Sequence, residues 1–473
     1  EEVGDIMPAE VRIKSIRMQN FKSVSNGKID FNTHYEFGTT ENAIDLYGVY
    51  GPNGSGKTAI IDACSVIKNI FRKGYLPEKA SGFIKQNQLS SAVEIEFFLH
   101  VGNDVLLLNY FIEFSNQDLR REPIIVQEWL KRKEWDESKN KFSSWQTLER
   151  FKRSDLRGND SSESAFAVQY RRQIEGAVKS DPNRSWLFNP LTKSLLKEIK
   201  EYSKSSAKER RLIQLQFAVA NLEEYAENQW LIINNEAYGE IPVLNILPMY
   251  LHHQGDEFGV HGSFPIDCSL SGSSKPTLPK KFEPAIQESI HQINIVLSQI
   301  IVGLTIELTP VSPSFGPNGE ELVSFEPFAV RSGNRIPLMY ESFGIKRIIS
   351  ILSALIAAVN NPFICLMIDE MDSGVFEYLL GEIISVLSET AKGQILFTAH
   401  NLHPLEKIRY KNIYFTTTLE DESFVHLKNV KTTNNLRDLY YRTLILSLDS
   451  DQYLNPFKEG KIRHAFRKAG RMN

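Results

Sequence analysis

Residues 51–58 read Gly-Pro-Asn-Gly-Ser-Gly-Lys-Thr and satisfy G-x-x-x-x-G-K-[ST] at every fixed position. Such a loop cradles phosphates. Its glycines let the backbone turn N–H groups toward an anion, and a helix behind it adds the partial positive charge of its N-terminus. Asn53, Gly54, Ser55 and Gly56 supply the cradle. Lys57 is placed to reach the β- and γ-phosphates of a nucleoside triphosphate, and Thr58 to ligate Mg²⁺. The competing reading is a chance match in a surface loop. The flanks argue against it: a short apolar strand at 43–50 runs into the loop, and Ile60, Ile61, Ala63, Val66, Ile67, Ile70 and Phe71 recur behind it at helical spacing.

Further on, the apolar run Phe363–Ile368 closes on Asp369 and Glu370. By itself this is a buried strand with two solvated end charges. Beside a P-loop it becomes a Walker B strand, in which Asp369 joins the Mg²⁺ shell and Glu370 orients and deprotonates the attacking water. His400, in Thr398-Ala399-His400-Asn401, closes another predicted strand and is placed to sense a γ-phosphate; without that company it would read as a surface histidine. In Glu341-Ser342-Phe343-Gly344-Ile345-Lys346-Arg347, Ser342 and Gly344 open a predicted helix and offer an anion site, to which Lys346 and Arg347 could add charge. The alternative is an ordinary N-cap at Ser342 with basic residues on an exposed face.

The elements that must position these groups follow from periodicity. Alternation at 11–18 predicts an early strand, and 93–101 with 105–114 predict an antiparallel pair turned at Gly102-Asn103-Asp104. Residues 117–157 lose this regularity, 158–184 read as a polar linker, and 190–228 as one or two helices. The Gly/Ser/Pro content of 253–282 predicts a loop, 282–304 a helix, and Gly316-Pro317-Asn318-Gly319 a hairpin turn that lacks the Gly-Lys-Thr of a P-loop. The apolar run Ile348–Val359 is 12 residues long, against about 20 for a bilayer span, and reads as a buried helix of a soluble protein. The expected domains are an N-terminal lobe at 1–116, an inserted mixed or helical subdomain at 117–320, a C-terminal lobe at 321–430 and a basic extension at 431–473.

A net charge of −4 excludes a global basic field that draws the whole chain to nucleic acid. Two local candidates remain. Lys458–Arg471 carries six basic residues against Glu459, and 129–157 interleaves Trp129, Lys131, Arg132, Lys133, Trp135 and Trp145. The competing readings are a solvated terminal helix or subunit contact for the first, and a strand pair with one packed face for the second. Cys64, Cys268 and Cys365 sit far apart, fit no metal spacing and suggest no disulfide framework, so a reducing cytoplasm is the expected setting.

The order of the pieces (P-loop, long insertion, Ser-x-Gly helix, Asp-Glu strand, histidine) resembles the SMC/RecF-type branch of ABC ATPases. The resemblance covers about 1–115 and 325–420 and implies an α/β, ABC-type P-loop head. It makes Glu341–Arg347 a degenerate signature, with Phe343 at a glycine position of Leu-Ser-Gly-Gly, Met371-Asp372-Ser373 a D-loop and His400 the switch histidine. It also sets Lys22 near the nucleotide and offers Gln86 or Gln88 as the Q-loop glutamine. In that branch ATP is sandwiched between two heads, so Ser342, Gly344 and Lys346 would act in trans and the working unit would be a dimer or higher.

The insertion is too short for the long coiled coil of chromosome-organising members. Two compact members remain: a RecF-like DNA-repair ATPase, and the stand-alone ATPases of anti-phage systems, similar to OLD-family heads or the PARIS ATPase AriA. The Ser-Phe-Gly-Ile-Lys-Arg form is closer to the second. With no acidic cluster of the TOPRIM nuclease type after His400, that resemblance implies a separate toxic effector, a nuclease, released on a phage-encoded trigger. A third reading is a nucleotide-gated scaffold with little turnover.

Overall fold

β1 (Glu10–Phe21) is buried at Val11–Ile13 and at Ser15–Ile16, alternates only from Ile16 to Gln19, and turns back antiparallel into β2 (Val24–Asp30). The structure is a computed structural model and describes residues 10–31, 45–101, 104–116, 122–157, 168–198, 207–234, 246–253, 260–267, 277–311, 313–417, 423–426, 436–438 and 459–469. β3 (Asp45–Tyr50) is buried at every position and leads through the glycine-rich loop into α1 (Lys57–Lys73). β4 (Ser90–Val101), β5 (Asp104–Ser115), β6 (Ile124–Asp136) and β7 (Gln146–Lys152) then extend the first sheet in the order β2–β1–β4–β5–β6–β7, with every neighbour antiparallel.

After α2 (Val168–Ser180), α3 (Pro190–Lys197) and α4 (Ala207–Asn228) comes β8 (Trp230–Ile233), which returns to the sheet that contains β3. The expected boundary at 116/117 therefore cuts a continuous sheet. β6 and β7 belong to the first lobe, and β8 pairs in parallel with the strand that carries Asp369. Nothing in the local pattern marked this, because both pairings are long-range. β9 (Ile246–His253) and β10 (Val260–Asp267) form an antiparallel hairpin where a loop was expected from 253. Val260, Gly262, Phe264 and Ile266 do alternate there, but the flanking Gly, Ser and Pro hid the period.

α5 (Glu283–Ile300), the antiparallel strands β11 (Leu304–Pro310), β12 (Phe325–Arg331) and β13 (Asn334–Pro337), and α6 (Phe343–Asn360) precede the second half of the nucleotide sheet. The turn at Gly316–Gly319 joins two short antiparallel strands, as expected. β14 (Cys365–Ile368), α7 (Glu377–Thr390), β15 (Gln394–Ala399) and β16 (Ile413–Thr416) follow, giving the parallel order β16–β3–β15–β14–β8, and the short strand Phe424–Val425 adds antiparallel at the outer edge of β16.

Its strands bury both faces. Tyr47, Val49, Cys365, Met367 and Leu396 face the core shared with α1, α4 and the antiparallel sheet, while Leu46, Tyr50, Leu366, Ile368, Ile395 and Phe397 face α5, α6 and α7. This two-sided burial explains why these strands read as continuous apolar runs. Among the described residues α6 alone has the length and hydropathy of a membrane-crossing helix, and more than half of it is buried in the second core. Cys64 and Cys365 are buried free thiols, and burial pushes Cys365 up to about 12. Cys268 lies outside the described residues.

Polar groups pin the two sheets together. The Gln394 amide pairs with Ile13 like an extra strand residue, donating to its carbonyl at 2.9 Å and accepting its N–H at 2.8 Å. The buried Arg12 guanidinium donates to Asp45 Oδ2 at 3.2 Å and to the carbonyls of Lys392 at 2.6 Å and Pro362 at 3.2 Å.

Candidate functional site

β3 ends at the carboxyl edge of a parallel sheet, the place where open α/β sheets bind ligands. The chain must reverse there within a few residues, and Gly54 (φ 77°) and Gly56 (φ 99°) take left-handed conformations that a Cβ would disfavour. The turn between β1 and β2 closes against the loop: a Cβ on Gly56 would stand 2.7 Å from Val24 and 3.1 Å from Ser23. At the far side Ser55 and Thr416, at the end of β16, share a hydrogen bond between their hydroxyls. Asn53 and Gly54 are exposed at the tip. Lys57 Nζ donates to the carbonyls of Gly51 and Pro52, both at 2.9 Å. Burial lowers the pKa of this ammonium, and the nearby carboxylates of Glu370, Asp369 and Asp372 oppose that shift. The P-loop lysine and the Asp-Glu strand, separated by more than 300 residues, thus share one electrostatic environment.

The strand order explains the convergence. β15 lies between β3 and β14, so its last hydroxyl, Thr398, sits beside both motifs. Thr398 Oγ1 donates to Asp369 Oδ1 at 2.6 Å and accepts the Glu370 N–H at 2.8 Å. Thr58 Oγ1, from the first turn of α1, donates to the same Asp369 oxygen at 3.2 Å. Two adjacent hard oxygen donors, a hydroxyl and a buried carboxylate, are the set that suits Mg²⁺. Glu370 has φ 46°, a left-handed conformation uncommon for a residue with a side chain.

Beyond it, Asp372 accepts the N–H groups of His400 at 2.8 Å and Asn401 at 2.7 Å, which fixes the end of β15. His400 is exposed there. Lys22, also left-handed at φ 51°, pairs with the buried Asp62 carboxylate on α1 and lies 4.8 Å from the Phe83 ring centre. It therefore sits against the P-loop helix through a partner the sequence had not singled out. Gln86 and Gln88 are both exposed, on the turn that follows Phe83.

The signature segment differs in detail from the expectation. Ser342 caps α6, accepting the Ile345 N–H at 3.3 Å, and both Ser342 and Phe343 are exposed. Gly344 is a packing residue, since a Cβ there would meet the Gly374 carbonyl at 2.0 Å. Lys346 is half-buried and donates to its own chain's Met339 carbonyl at 3.1 Å. Arg347 is fully buried, so it lies neither at the open anion site nor on the exposed face that the sequence offered for it, and its guanidinium turns inward to the carbonyls of Asp369 and Glu370. Of the nucleic-acid candidates, 129–152 is the paired edge β6–β7. There Trp129 stacks on Phe111 at 3.8 Å, and Lys131 and Lys133 lie over Trp129 and Trp145, each 4.4 Å from the ring centre. In the tail, Glu459–Ala469 forms a helix whose residues 463–469 are exposed.

Sequence reasoning quoted Thr398 only as the neighbour of His400, with no role of its own, and passed over Thr416 and Asp62. A hydroxyl closing an apolar strand was the available signal for the first two; Asp62 carried none.

The parallel sheet with a glycine-rich loop between β3 and α1 is a P-loop nucleotide-binding fold of α/β type. Residues 46–406 match the family model described as an AAA domain, putative AbiEii toxin, Type IV TA system, and the chain belongs to that family. No curated protein matches the sequence. Among solved structures, the chain is similar to the Smc head with an extended coiled coil bound to the C-terminal domain of ScpA from Pyrococcus furiosus. That likeness has 15% identity and a TM-score of 0.38, covering 92% of this chain and 99% of that one. The SMC head domain from Thermotoga maritima gives 14% and 0.34, over 88% and 99%. The recombination mediator RecF with ATP gives 11% and 0.38, over 89% and 100%.

Proposed function

We propose that this chain is an ATPase that binds Mg²⁺-ATP at 53–58, hydrolyses it with Glu370, and works as a dimer or higher oligomer in which Ser342 of one copy caps the nucleotide held by another. The observation that supports this reading is the hydrogen-bonded string Thr58–Asp369–Thr398–Glu370 N–H, which gathers a hydroxyl and a carboxylate of the kind that suits Mg²⁺, with the backbone of Glu370 beside them, at the first turn of the P-loop helix. Mg²⁺ held by Thr58 and Asp369 would neutralise phosphate charge. Lys57 would release the loop carbonyls for the phosphates, and Glu370 would take the proton from the attacking water. Exposure of Ser342, Phe343 and His400 suits a site completed from outside the chain.

Loss of the base lowers turnover by about 10²-fold or more. Comparing the wild type with Glu370→Gln tests this; equal, negligible rates in both would make the site a binding switch only.

We further propose that the ATPase belongs to an anti-phage system of the OLD or PARIS kind and restrains a separate toxic effector, a nuclease, until a phage product triggers release. The family's description as a toxin of a toxin–antitoxin system supports this context. Buried free thiols suit a reducing cytoplasm. Expression with its genomic neighbours should recover a nuclease bound to the chain in an ATP-dependent way. Loading of the chain alone onto gapped DNA with ATP would instead favour a RecF-like repair role.

A further inference from the structure

α6 touches two places. Its exposed N-terminus, Ser342 and Phe343, is the part that the two-copy reading aims at the partner's nucleotide. One turn further in, Arg347 is fully buried, and its Nη2 donates to the Asp369 carbonyl at 2.6 Å and the Glu370 carbonyl at 3.3 Å. A second contact lies at the other end of the same segment. Gly344 packs on the Gly374 carbonyl, and a Cβ on Gly374 (φ 72°) would stand 2.6 Å from the Phe343 ring. The first turn of α6 is therefore fixed to both ends of 369–374. Within that segment Glu370 holds its left-handed conformation between two grips, Thr398 on its N–H and Arg347 on its carbonyl. A guanidinium suits the second grip, since it is always charged and presents several donors in one plane.

We propose that Arg347 is a positioning residue that couples the two nucleotide sites of a paired head. When Ser342 engages the nucleotide held by the partner copy, α6 shifts. Arg347 transmits the shift to Glu370 of its own chain, which sets water activation on the nucleotide in its own P-loop. The inference rests on the two-copy reading above and adds a direction to it: each chain's Glu370 responds to what that chain's signature touches.

The test uses the full chain. Arg347→Lys can reach one carbonyl with a single charged donor. It should lower kcat about tenfold or more while changing ATP affinity by less than about threefold, the signature of an interaction made for the chemical step. The Hill coefficient of turnover, above one in the wild type, should fall toward one. A structural role alone would lower thermal stability without this kcat-against-affinity split. Wild-type kcat and cooperativity in Arg347→Lys, or a wild-type Hill coefficient of one, overturn the proposal.

A second measurement keeps Arg347 native in case the variant does not fold. A copy with Lys57→Met is paired with a copy bearing Ser342→Trp. The second copy then has an intact P-loop, Glu370 and Arg347, and its nucleotide is capped by the first copy's Ser342, but its own signature faces a P-loop that holds no nucleotide. The proposal requires this single complete site to run at about a tenth or less of one wild-type site. A full single-site rate overturns it. Failure of the wild type to pair or to turn over ATP refutes the two-copy reading itself, so the two failures are distinguishable.

Discussion

Glu370 is where strain and chemistry coincide, and the pair of substitutions Glu370→Gln and Glu370→Gly separates them. At φ 46° a residue with a Cβ is destabilised by roughly 1–2 kcal/mol relative to ordinary backbone, whereas glycine is not. Glycine in turn has more freedom to lose on folding, roughly 0.5–1 kcal/mol. The difference leaves Glu370→Gly more stable than Glu370→Gln by about 0.5–1 kcal/mol. Gln is the right reference because both variants lose the carboxylate that faces Lys57. Only the backbone demand and a half-buried stem then differ between them. Equilibrium urea unfolding without nucleotide, read as midpoints at matched slopes, measures the difference, and both variants should be inactive in ATP turnover. If Glu370→Gly unfolds at the same or lower urea than Glu370→Gln, position 370 is not strained, and the view that Arg347 and Thr398 hold it against strain fails.

Thr58→Ala removes one of two oxygens assigned to Mg²⁺, so Mg²⁺-ATP affinity should fall about tenfold, or 1.4 kcal/mol, while affinity in EDTA stays the same; equal loss in both conditions would remove the metal assignment. Arg12→Met removes the cationic partner of the buried Asp45 carboxylate, which keeps the Gln394 amide, and should lower stability by about 3 kcal/mol, with Asp45→Asn in the same chain restoring part of it, as read by denaturant midpoints. Lys68 donates to the Trp230 carbonyl, and burial lowers its pKa to about 8 from 10.5. Between those values the unfolded chain binds more protons than the folded one, so stability should rise with pH across that window. In Lys68→Met the melting temperature should climb less between pH 8 and 10.5, and parallel curves would contradict the shift.

The P-loop half of the candidate site was legible as a strand–loop–helix because its demands are local. A phosphate cradle needs glycines, a lysine and a hydroxyl in one short run, and Gly51–Thr58 shows them with the strand and helix that must flank them. Asp369 and Glu370 were legible for the same reason, at the end of a strand buried on both faces. What stayed hidden depends on residues distant in sequence. Arg347 looks like a solvated charge until α6 is packed on β14, when it becomes the clamp on the carbonyls of Asp369 and Glu370. Thr398 looks like any strand-end hydroxyl until β15 is seen to run between β3 and β14. Part of the expected insertion joins the two sheets, because β6, β7 and β8 pair with strands that no local period can name, while the β9–β10 hairpin forms a sheet of its own.

The central claim is that one chain holds only half of a working nucleotide site. Mass measurement of Glu370→Gln, which should trap bound ATP, tests it most directly. With Mg²⁺-ATP the particle mass should rise to that of two or more chains, fall back with ADP, and stay at one chain when Ser342→Trp is added. Stoichiometric ATP binding by Glu370→Gln without any ATP-dependent gain in mass would contradict the account.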